Sequence, residues 1–207
     1  MKTKLVYSVV AAFLLFVTLI TAGKAQQGIT PDNNGIRRSS NNFNPGQLNP
    51  NAPPETEQYG QLAGVWEAEQ AVINPDGTWP EKTTRAEWRW YYILDGHAIQ
   101  DDWFSLETTA DSSQELQPVG TNIRIYNPGD KKWHMAWIDK TNRRLAIFTA
   151  VQQDGKIIMS GTNAKGREIR NTFFNITGKA FDWQQEWTFD QGKSWVVVTK
   201  IHCRRKS

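Results

Sequence analysis

RAEWRWYYILDGHAIQDDW, residues 85–103, is the stretch of this chain that decides the fold. Two runs rich in aromatic residues flank Asp95-Gly96, a dipeptide that is typical of tight hairpin turns. Because strand side chains alternate between two faces, Trp88, Trp90 and Tyr92 lie on one face before the turn. After the turn, one face carries an imidazole, an aliphatic chain, a carboxylate and an indole: His97, Ile99, Asp101 and Trp103. The stretch therefore predicts a β-hairpin that sends several large aromatic side chains and one carboxylate to the same side.

The same pattern of short strands and turn signals continues from Gly64 to Arg204. Turn sequences such as Asn74-Pro75-Asp76-Gly77, Pro128-Gly129-Asp130 and Asp154-Gly155 recur about every 8–12 residues. No helix-length 3.6-residue periodicity is present outside the apolar N-terminus. This spacing predicts an all-β protein of about ten antiparallel strands. Consecutive hairpins favour an up-and-down β-barrel, which leaves no unpaired edge, with an open sandwich as the alternative.

The N-terminus has the pattern of a secretory signal peptide. Lys2 and Lys4 precede an apolar run over residues 5–20, and small residues follow up to Ala25. A membrane span needs about 20 apolar residues, so an uncleaved anchor is the less favoured alternative. We predict a signal peptide over residues 1–25, cleavage after Ala25, and a periplasmic or secreted mature protein with no membrane span.

The next segment, residues 26–57, is dominated by Asn, Pro, Gly, Gln and Ser. Few of its side chains could pack into a core, so we predict a disordered linker. The barrel domain is then expected to occupy residues 58–207. All ten tryptophans of the chain lie in this last part, between Trp66 and Trp195. Buried aromatic side chains can supply a large core. We expect the domain to be a monomer.

The charge of the chain bears on a nucleic-acid partner, and its cysteine content bears on disulfide formation. Residues 1–25 contain Lys2, Lys4 and Lys24 and no acidic residue, so the rest of the chain holds 21 basic and 21 acidic residues. A neutral domain gives no support for a nucleic-acid partner, which would need a basic surface. The single cysteine, Cys203, cannot form a disulfide within the chain. The core alone must therefore hold the fold together.

Several segments in this order resemble known barrels. They are Leu62–Trp66, Trp88–Trp103, Gly120–Asn127, Trp133–Asp139 and Asp190–Trp195. The first is similar to the Gly-x-Trp start of the first strand in the calycin superfamily. Together the segments resemble a lipocalin-like family of exported bacterial domains of unknown function. This resemblance implies a calycin-type barrel of about ten strands over residues 58–204 and implies no established activity.

If the apolar faces point inward, the barrel encloses an aromatic-lined interior. The residues expected there as a ligand-binding set are Trp66, Gln70, Trp88, Trp90, Tyr92, Asp101, Trp103, Trp133, Trp137, Trp183, Gln185 and Trp187. Thr149 and Thr199 are expected to add polar groups. An aromatic cavity with a few placed polar groups is typical of a site for a small apolar or amphipathic molecule. The alternative is a barrel that its own tryptophans fill, which would suit an interaction module of the cell envelope.

The sequence gives little support for catalysis. It contains no nucleophile elbow, no His-Glu-x-x-His spacing and no phosphate-binding loop. Asp101 or His97 could serve as an acid–base group in an enzyme that uses the same cavity. Asp101 and Asp102 point to opposite faces of a strand and so cannot act together. We expect Asp101 to form an ion pair with Arg89 or Arg124, and we assign no catalytic residue.

A haem site is the remaining alternative. Nitrobindins are similar in barrel architecture and carry their proximal haem histidine near the C-terminal end. His202 lies in the last predicted strand and could play that part. It shares a face with Lys200, however, so we expect its imidazole to point outward. We therefore assign no cofactor and no metal.

Overall fold

The structure is a computed structural model that describes residues 43–163 and 165–206. A 3₁₀ turn, Pro54–Thr56, leads into a short helix, α1, at Glu57–Gly60. The strands are β1 (Gly64–Val72), β2 (Thr84–Ile93), β3 (Ala98–Thr108), β4 (Gln114–Asn127), β5 (Lys132–Asp139), β6 (Arg144–Gln153), β7 (Lys156–Thr162), β8 (Glu168–Phe174), β9 (Ala180–Trp187) and β10 (Val196–Arg205). None of the helices in these residues is long and apolar enough to cross a membrane.

The strands form a closed barrel in which each strand pairs antiparallel with its neighbours in the sequence. The barrel closes where β1 pairs with β10, in a register that sets Trp66 opposite Arg205. Arg205 also donates hydrogen bonds to the backbone oxygens of Ala63 at 2.7 Å and Gly178 at 2.7 Å. The predicted up-and-down barrel of about ten strands is therefore confirmed, and the open sandwich is excluded because each described strand pairs with a neighbour on both sides.

The hairpin predicted for residues 85–103 is the β2–β3 pair. Its register sets Trp88 opposite Trp103 and Trp90 opposite Asp101. All four side chains are buried inside the barrel. Three consecutive turn residues, Leu94–Gly96, have positive φ angles, which explains the glycine at the third position. Strand alternation therefore positions the aromatic groups as the sequence predicts.

One end of the barrel is closed by α1 and the loop after it. Tyr59 is fully buried, and its ring lies 4.8 Å from that of Trp133 and 5.6 Å from that of Phe173. Just beyond the helix, the indole Nε1 of Trp66 donates a 2.7 Å hydrogen bond to the backbone oxygen of Leu62. Packed rings thus seal this end and leave the other end of the barrel open.

Residues 43–57 differ from the disordered linker that composition predicts. β1 begins at Gly64 opposite Trp90, so the end of β2 beyond Trp90 lacks a partner strand on that side. Pro45 replaces the missing strand, because its backbone oxygen accepts a 2.7 Å hydrogen bond from the backbone N–H of Tyr92. Asn49 continues the contact through its side chain, which donates to Asp95 at 3.0 Å. Backbone pairing needs no apolar side chain, so composition does not reveal it. The predicted signal peptide and the first part of the linker lie outside the described residues.

The inward face of β6 also differs from expectation. Ala146, Phe148 and Ala150 are buried and face the interior of the barrel. Ile147 is exposed, and Thr149 lies on the same outward face as Ile147. Thr149 therefore does not contribute to the interior. Both faces of β6 are largely apolar, so alternation alone does not choose between them. The neighbouring strand decides the face, since Trp137 pairs with Ala146 and needs a small residue beside its indole.

Substitution of Gly161 by alanine is expected to destabilise the barrel. A Cβ atom there would meet the Phe148 ring and lie 2.9 Å from the backbone oxygen of Ile147. Overpacking of this kind lowers the free energy of unfolding by about 1–3 kcal/mol. Gly178→Ala is the matched control because nothing lies within 4 Å of its added Cβ. Urea unfolding of both variants checks the expectation, and equal midpoints would contradict it.

Candidate functional site

A cavity of about 450 Å³ occupies the barrel at the end opposite α1. Its apolar wall consists of Trp88, Trp103, Val119, Trp137, Phe148, Met159, Ile169, Phe173, Trp183 and Ile201. Its polar lining consists of Gln70, Asp101, Ser105, Asn122, Arg124, Asp139, Thr141, Asn142, Arg144, Asn171 and Gln185. The polar groups lie deep in the barrel and at the mouth, beside the β5–β6 turn. The cavity therefore combines aromatic walls with hydrogen-bonding groups at both levels.

The residues predicted as ligand-binding divide into two groups. Those that line the cavity are Gln70, Trp88, Asp101, Trp103, Trp137, Trp183 and Gln185. Trp66, Trp90 and Trp133 are fully buried in the packed rings of the closed end and do not line it. Tyr92 also lies at the closed end, where its hydroxyl donates a 2.9 Å hydrogen bond to Glu57. Trp187 is partly buried near the mouth, with its Nε1 donating to Gln185 at 3.0 Å.

An ion pair between Asp101 and Arg124 forms the floor of the cavity. Each side chain is only 1% exposed. The indole Nε1 of Trp88 donates a 2.6 Å hydrogen bond to the second carboxylate oxygen of Asp101. Burial raises the pKa of Asp101, while Arg124 and the Trp88 hydrogen bond act in the opposite direction. The expected pairing of Asp101 with Arg124 is therefore present, whereas Arg89 pairs with Glu87.

Aromatic rings enclose the guanidinium of Arg124. Its central carbon lies 4.3 Å from the ring centre of Trp90 and 4.7 Å from that of Tyr59. Cation–π contacts of this kind are strongest where water is excluded. Burial of Tyr59 also raises the pKa of its phenol, so the ring stays neutral beside the ion pair. Tyr59 thus connects α1 to the charged floor of the cavity.

Buried polar groups at the floor of the cavity retain unused hydrogen-bonding capacity. Within the described residues, Asn122 Oδ1 and Arg124 Nε have no hydrogen-bond partner, although both atoms are buried. Both side chains line the cavity. By contrast, the amide of Gln185 donates to Asn171 at 3.1 Å. Buried polar atoms are costly when unsatisfied, so the unpartnered acceptor and donor favour a polar group of a ligand or a bound water.

At the mouth, Arg144 lies beside the carboxylate of Asp139, which accepts several hydrogen bonds from its own turn. Asp139 accepts hydrogen bonds from the backbone N–H groups of Thr141, at 2.8 Å, and Asn142, at 3.0 Å. Burial alone would raise the pKa of Asp139, but these donors and the Asn142 side chain lower it. Arg144 Nε is 3.7 Å from Asp139 and makes no hydrogen bond within the described part of the chain. Arg144 therefore forms an ion pair with Asp139 and retains a hydrogen-bond donor, Nε, at the mouth.

The sequence did not identify Asn122 and Asn171 as cavity residues, and it indicated Arg124 only as one of two candidate partners of Asp101. The neighbours of Asn122 and Arg124, Ile123 and Ile125, are apolar yet face outward, so the usual rule selects the wrong face of β4. Asn171 could have been found by alternation, because it lies between two buried apolar residues of the same face, Ile169 and Phe173.

None of the chain's three histidines lines the cavity. His97 lies at the β2–β3 turn of the closed end, with Nδ1 3.3 Å from the backbone oxygen of Leu94. His202 lies on the outer face of β10, with Nδ1 2.7 Å from Asp182. The hypotheses that His97 is the acid–base group of the cavity and that His202 is a haem ligand inside it are therefore wrong.

Comparison with known proteins supports the fold. No protein-family model matches this chain, and no curated protein matches it. Among solved structures it is similar to the S-type phycobiliprotein lyase CPES from Guillardia theta, at 9% identity and a TM-score of 0.51, over 73% of this chain and 92% of that one. It is also similar to Rv2717c from M. tuberculosis, at 11% identity and a TM-score of 0.49, over 75% of this chain and 99% of that one. The chain has the fold of calycin-like β-barrels.

Removal of one partner of the Asp101–Arg124 pair is expected to cost more than removal of both. Arg124→Met leaves a buried carboxylate alone, which lowers the free energy of unfolding by about 3–5 kcal/mol at neutral pH. The double variant with Asp101→Asn leaves no uncompensated charge and is expected to be closer to wild type. Urea unfolding of both variants measures the difference.

The pH dependence provides a second check on the same pair. In Arg124→Met the folded-state pKa of Asp101 rises further above its unfolded value, so the folded state binds a proton more readily. Its stability deficit is therefore expected to shrink as pH falls from neutral towards the unfolded-state pKa. The double variant should lack this recovery, and parallel pH profiles for the two variants would contradict the expectation.

Proposed function

We propose that this barrel binds a small amphipathic molecule with a flat apolar body. The observation that carries the proposal is the cavity of about 450 Å³ that the closed end leaves open above the buried ion pair. Small-molecule sites in proteins have volumes of about 300–1,000 Å³ and combine apolar walls with a few placed polar groups. The barrel also resembles that of a phycobiliprotein lyase, which is consistent with a site for a small molecule.

The walls favour a flat apolar body. Indole groups of Trp88, Trp103, Trp137 and Trp183 line the cavity, together with the ring of Phe173. Aromatic side chains prefer stacked or edge-to-face contacts, which suit a planar ligand. The ring centres of Trp88 and Trp103 lie 5.0 Å apart in an edge-to-face arrangement. These rings already support one another and offer a preformed apolar surface.

The polar groups favour a ligand with a hydrogen-bonding inner end and an anionic outer end. Asn122 Oδ1 can accept a hydrogen bond and Arg124 Nε can donate one at the floor. Arg144 forms a long ion pair with Asp139, and its Nε makes no hydrogen bond within the described residues, so it can donate one to a ligand carboxylate at the mouth. Guanidinium and carboxylate groups form strong charge-assisted hydrogen bonds. The proposed ligand is therefore a planar amphipathic carboxylate.

Binding is favoured over catalysis because the acidic group of the cavity floor is already engaged. One oxygen of Asp101 pairs with Arg124 and the other accepts from Trp88. A general acid or base must exchange a proton with its substrate, whereas the charge of Asp101 is already balanced by Arg124. We further propose that the mature chain acts after export, in the periplasm or outside the cell, as the predicted signal peptide implies.

Filling the cavity is expected to weaken binding of a planar probe. Ile169→Trp adds an indole to the cavity wall, and Phe174→Trp is the matched control on the other face of β8. Anthracene-2-carboxamide, titrated against tryptophan fluorescence, measures the affinity. We expect the control to bind as wild type does and Ile169→Trp to bind at least about tenfold more weakly. Equal binding by both variants would place the probe elsewhere and contradict the proposal.

The anionic end of the ligand is tested by a matched pair of probes. Arg144→Gln is expected to weaken anthracene-2-carboxylate by about tenfold and to leave anthracene-2-carboxamide nearly unchanged, because only the carboxylate gains a charge-assisted pair. Arg143→Gln is the control, since its exposed side chain does not line the interior cavity. An equal loss for both probes would show that Arg144 acts through packing alone.

A further inference from the structure

The carboxamide of Asn122 is buried in the cavity without a hydrogen-bond partner among the described residues. Its side chain lines the cavity, and the residue is only 4% exposed. Neither Oδ1 nor Nδ2 makes a hydrogen bond to another residue in the described part of the chain. A buried amide without hydrogen bonds destabilises a folded protein. Its presence here therefore favours a hydrogen-bonding partner from outside the chain.

Other polar groups deep in the cavity are bonded to one another. Gln185 donates to the side-chain oxygen of Asn171 at 3.1 Å. The carboxylate of Asp101 pairs with the guanidinium of Arg124. Asn122 lies opposite Asp101 in the β3–β4 pair but makes no hydrogen bond to that carboxylate. The chain thus provides partners for its other deep polar groups and leaves this carboxamide to a ligand.

The chemistry of a carboxamide defines what this ligand must present. Its donor and its acceptor lie side by side in one plane, so it can form two parallel hydrogen bonds with an edge that carries an acceptor next to a donor. Asparagine uses this arrangement to bind the edge of adenine. A carboxylate lacks the donor, and a carboxylic acid loses its proton well below neutral pH. Asn122 therefore favours a neutral edge, such as that of a cyclic lactam or an aminopyridine.

Arg124 favours the lactam over the aminopyridine. It lies two residues from Asn122 on the inner face of β4, and its buried Nε makes no hydrogen bond to any residue that the structure describes. A carbonyl oxygen has two lone pairs and can accept from both side chains, whereas a pyridine nitrogen has one. A lactam can therefore engage the whole Asn122 carboxamide and Arg124 Nε together.

Trp137 provides a flat wall beside Asn122. The two residues are paired across β4 and β5, and both line the cavity. The indole also covers Gly120, the next inward position of β4 towards the mouth, because a Cβ atom at Gly120 would meet the indole ring. A planar molecule that enters from the mouth can therefore stack against Trp137 and present its edge to Asn122.

We propose that the cavity binds fused-ring lactams, with Asn122 accepting from the lactam N–H and donating to its carbonyl oxygen. Arg124 Nε supplies a second hydrogen bond to the same oxygen. This inference rests on the proposed function, because a planar ligand must occupy the cavity, and it defines the inner end of that ligand. A carboxylate on the opposite edge of the ring system would extend towards Arg144 at the mouth.

Calorimetric titration with two matched probes tests the inference. Phenanthridinone carries the lactam edge on a flat body of three rings, and N-methylphenanthridinone lacks the N–H donor. We expect wild type to bind phenanthridinone about tenfold more tightly than its N-methyl derivative. Asn122→Leu replaces the carboxamide by an apolar group of similar size. This variant should lose the preference, while it binds the N-methyl derivative nearly as wild type does.

Asn171→Leu is the matched control. It makes the same change at another buried asparagine of the cavity, whose oxygen already accepts from Gln185. The control should keep the preference for phenanthridinone. The infrared carbonyl stretch of bound phenanthridinone provides a second measurement, because hydrogen bonds to the carbonyl oxygen lower its frequency. We expect a lower frequency in wild type than in Asn122→Leu.

The possible outcomes distinguish this inference from the proposed function. Equal binding of the two phenanthridinones by wild type would overturn the inference, as would failure of both to bind a protein that binds anthracene-2-carboxamide. The proposed function would stand in either case. An equal loss of both probes in Asn122→Leu would show that Asn122 acts through packing and would also overturn the inference. If none of the three probes binds wild type, the proposed function fails, and the inference fails with it.

Discussion

The buried ion pair between Asp101 and Arg124 is the interaction on which the rest of the barrel depends. Two charges inside an apolar barrel are costly unless they are paired, hydrogen-bonded and shielded from water. Trp88 supplies the hydrogen bond, and the rings of Trp90 and Tyr59 enclose the guanidinium. Tyr59 belongs to α1, which precedes the first strand. Its contact with the charged Arg124 therefore helps to position α1 at the closed end of the barrel.

The same constraint explains why the interior is part core and part cavity. Aromatic rings pack tightly below and around the guanidinium, whereas the opposite side of the ion pair faces open space. A fully apolar interior could collapse onto itself more completely. Asn122 and Asn171 also line the cavity, and buried polar side chains favour a hydrogen-bonding partner such as a water or a ligand group. The cavity is therefore a consequence of where the polar groups lie.

Much of the fold could be predicted from the sequence because turn dipeptides and aromatic alternation are local signals. The β2–β3 hairpin and the inward indoles of Trp137 and Trp183 follow from them. Alternation alone could not predict the faces of β4 and β6, since Ile123 and Ile147 are apolar yet point outward. Those choices depend on a distant carboxylate and on the size of a neighbouring indole. Likewise, the order in residues 43–57 comes from backbone pairing with β2, which composition does not encode.

The pairing of β1 with β10 has a consequence for how the chain is made. Every other strand pair joins neighbours in sequence and can form as soon as its hairpin has emerged. The closing pair joins Trp66 to Arg205, nearly the whole domain apart, so its loop-closure entropy is the largest in the fold. Until the final strand is synthesised, the sheet keeps two open edges that can pair with other chains. Shielding of the nascent sheet is therefore a requirement of this topology until its last residues are complete.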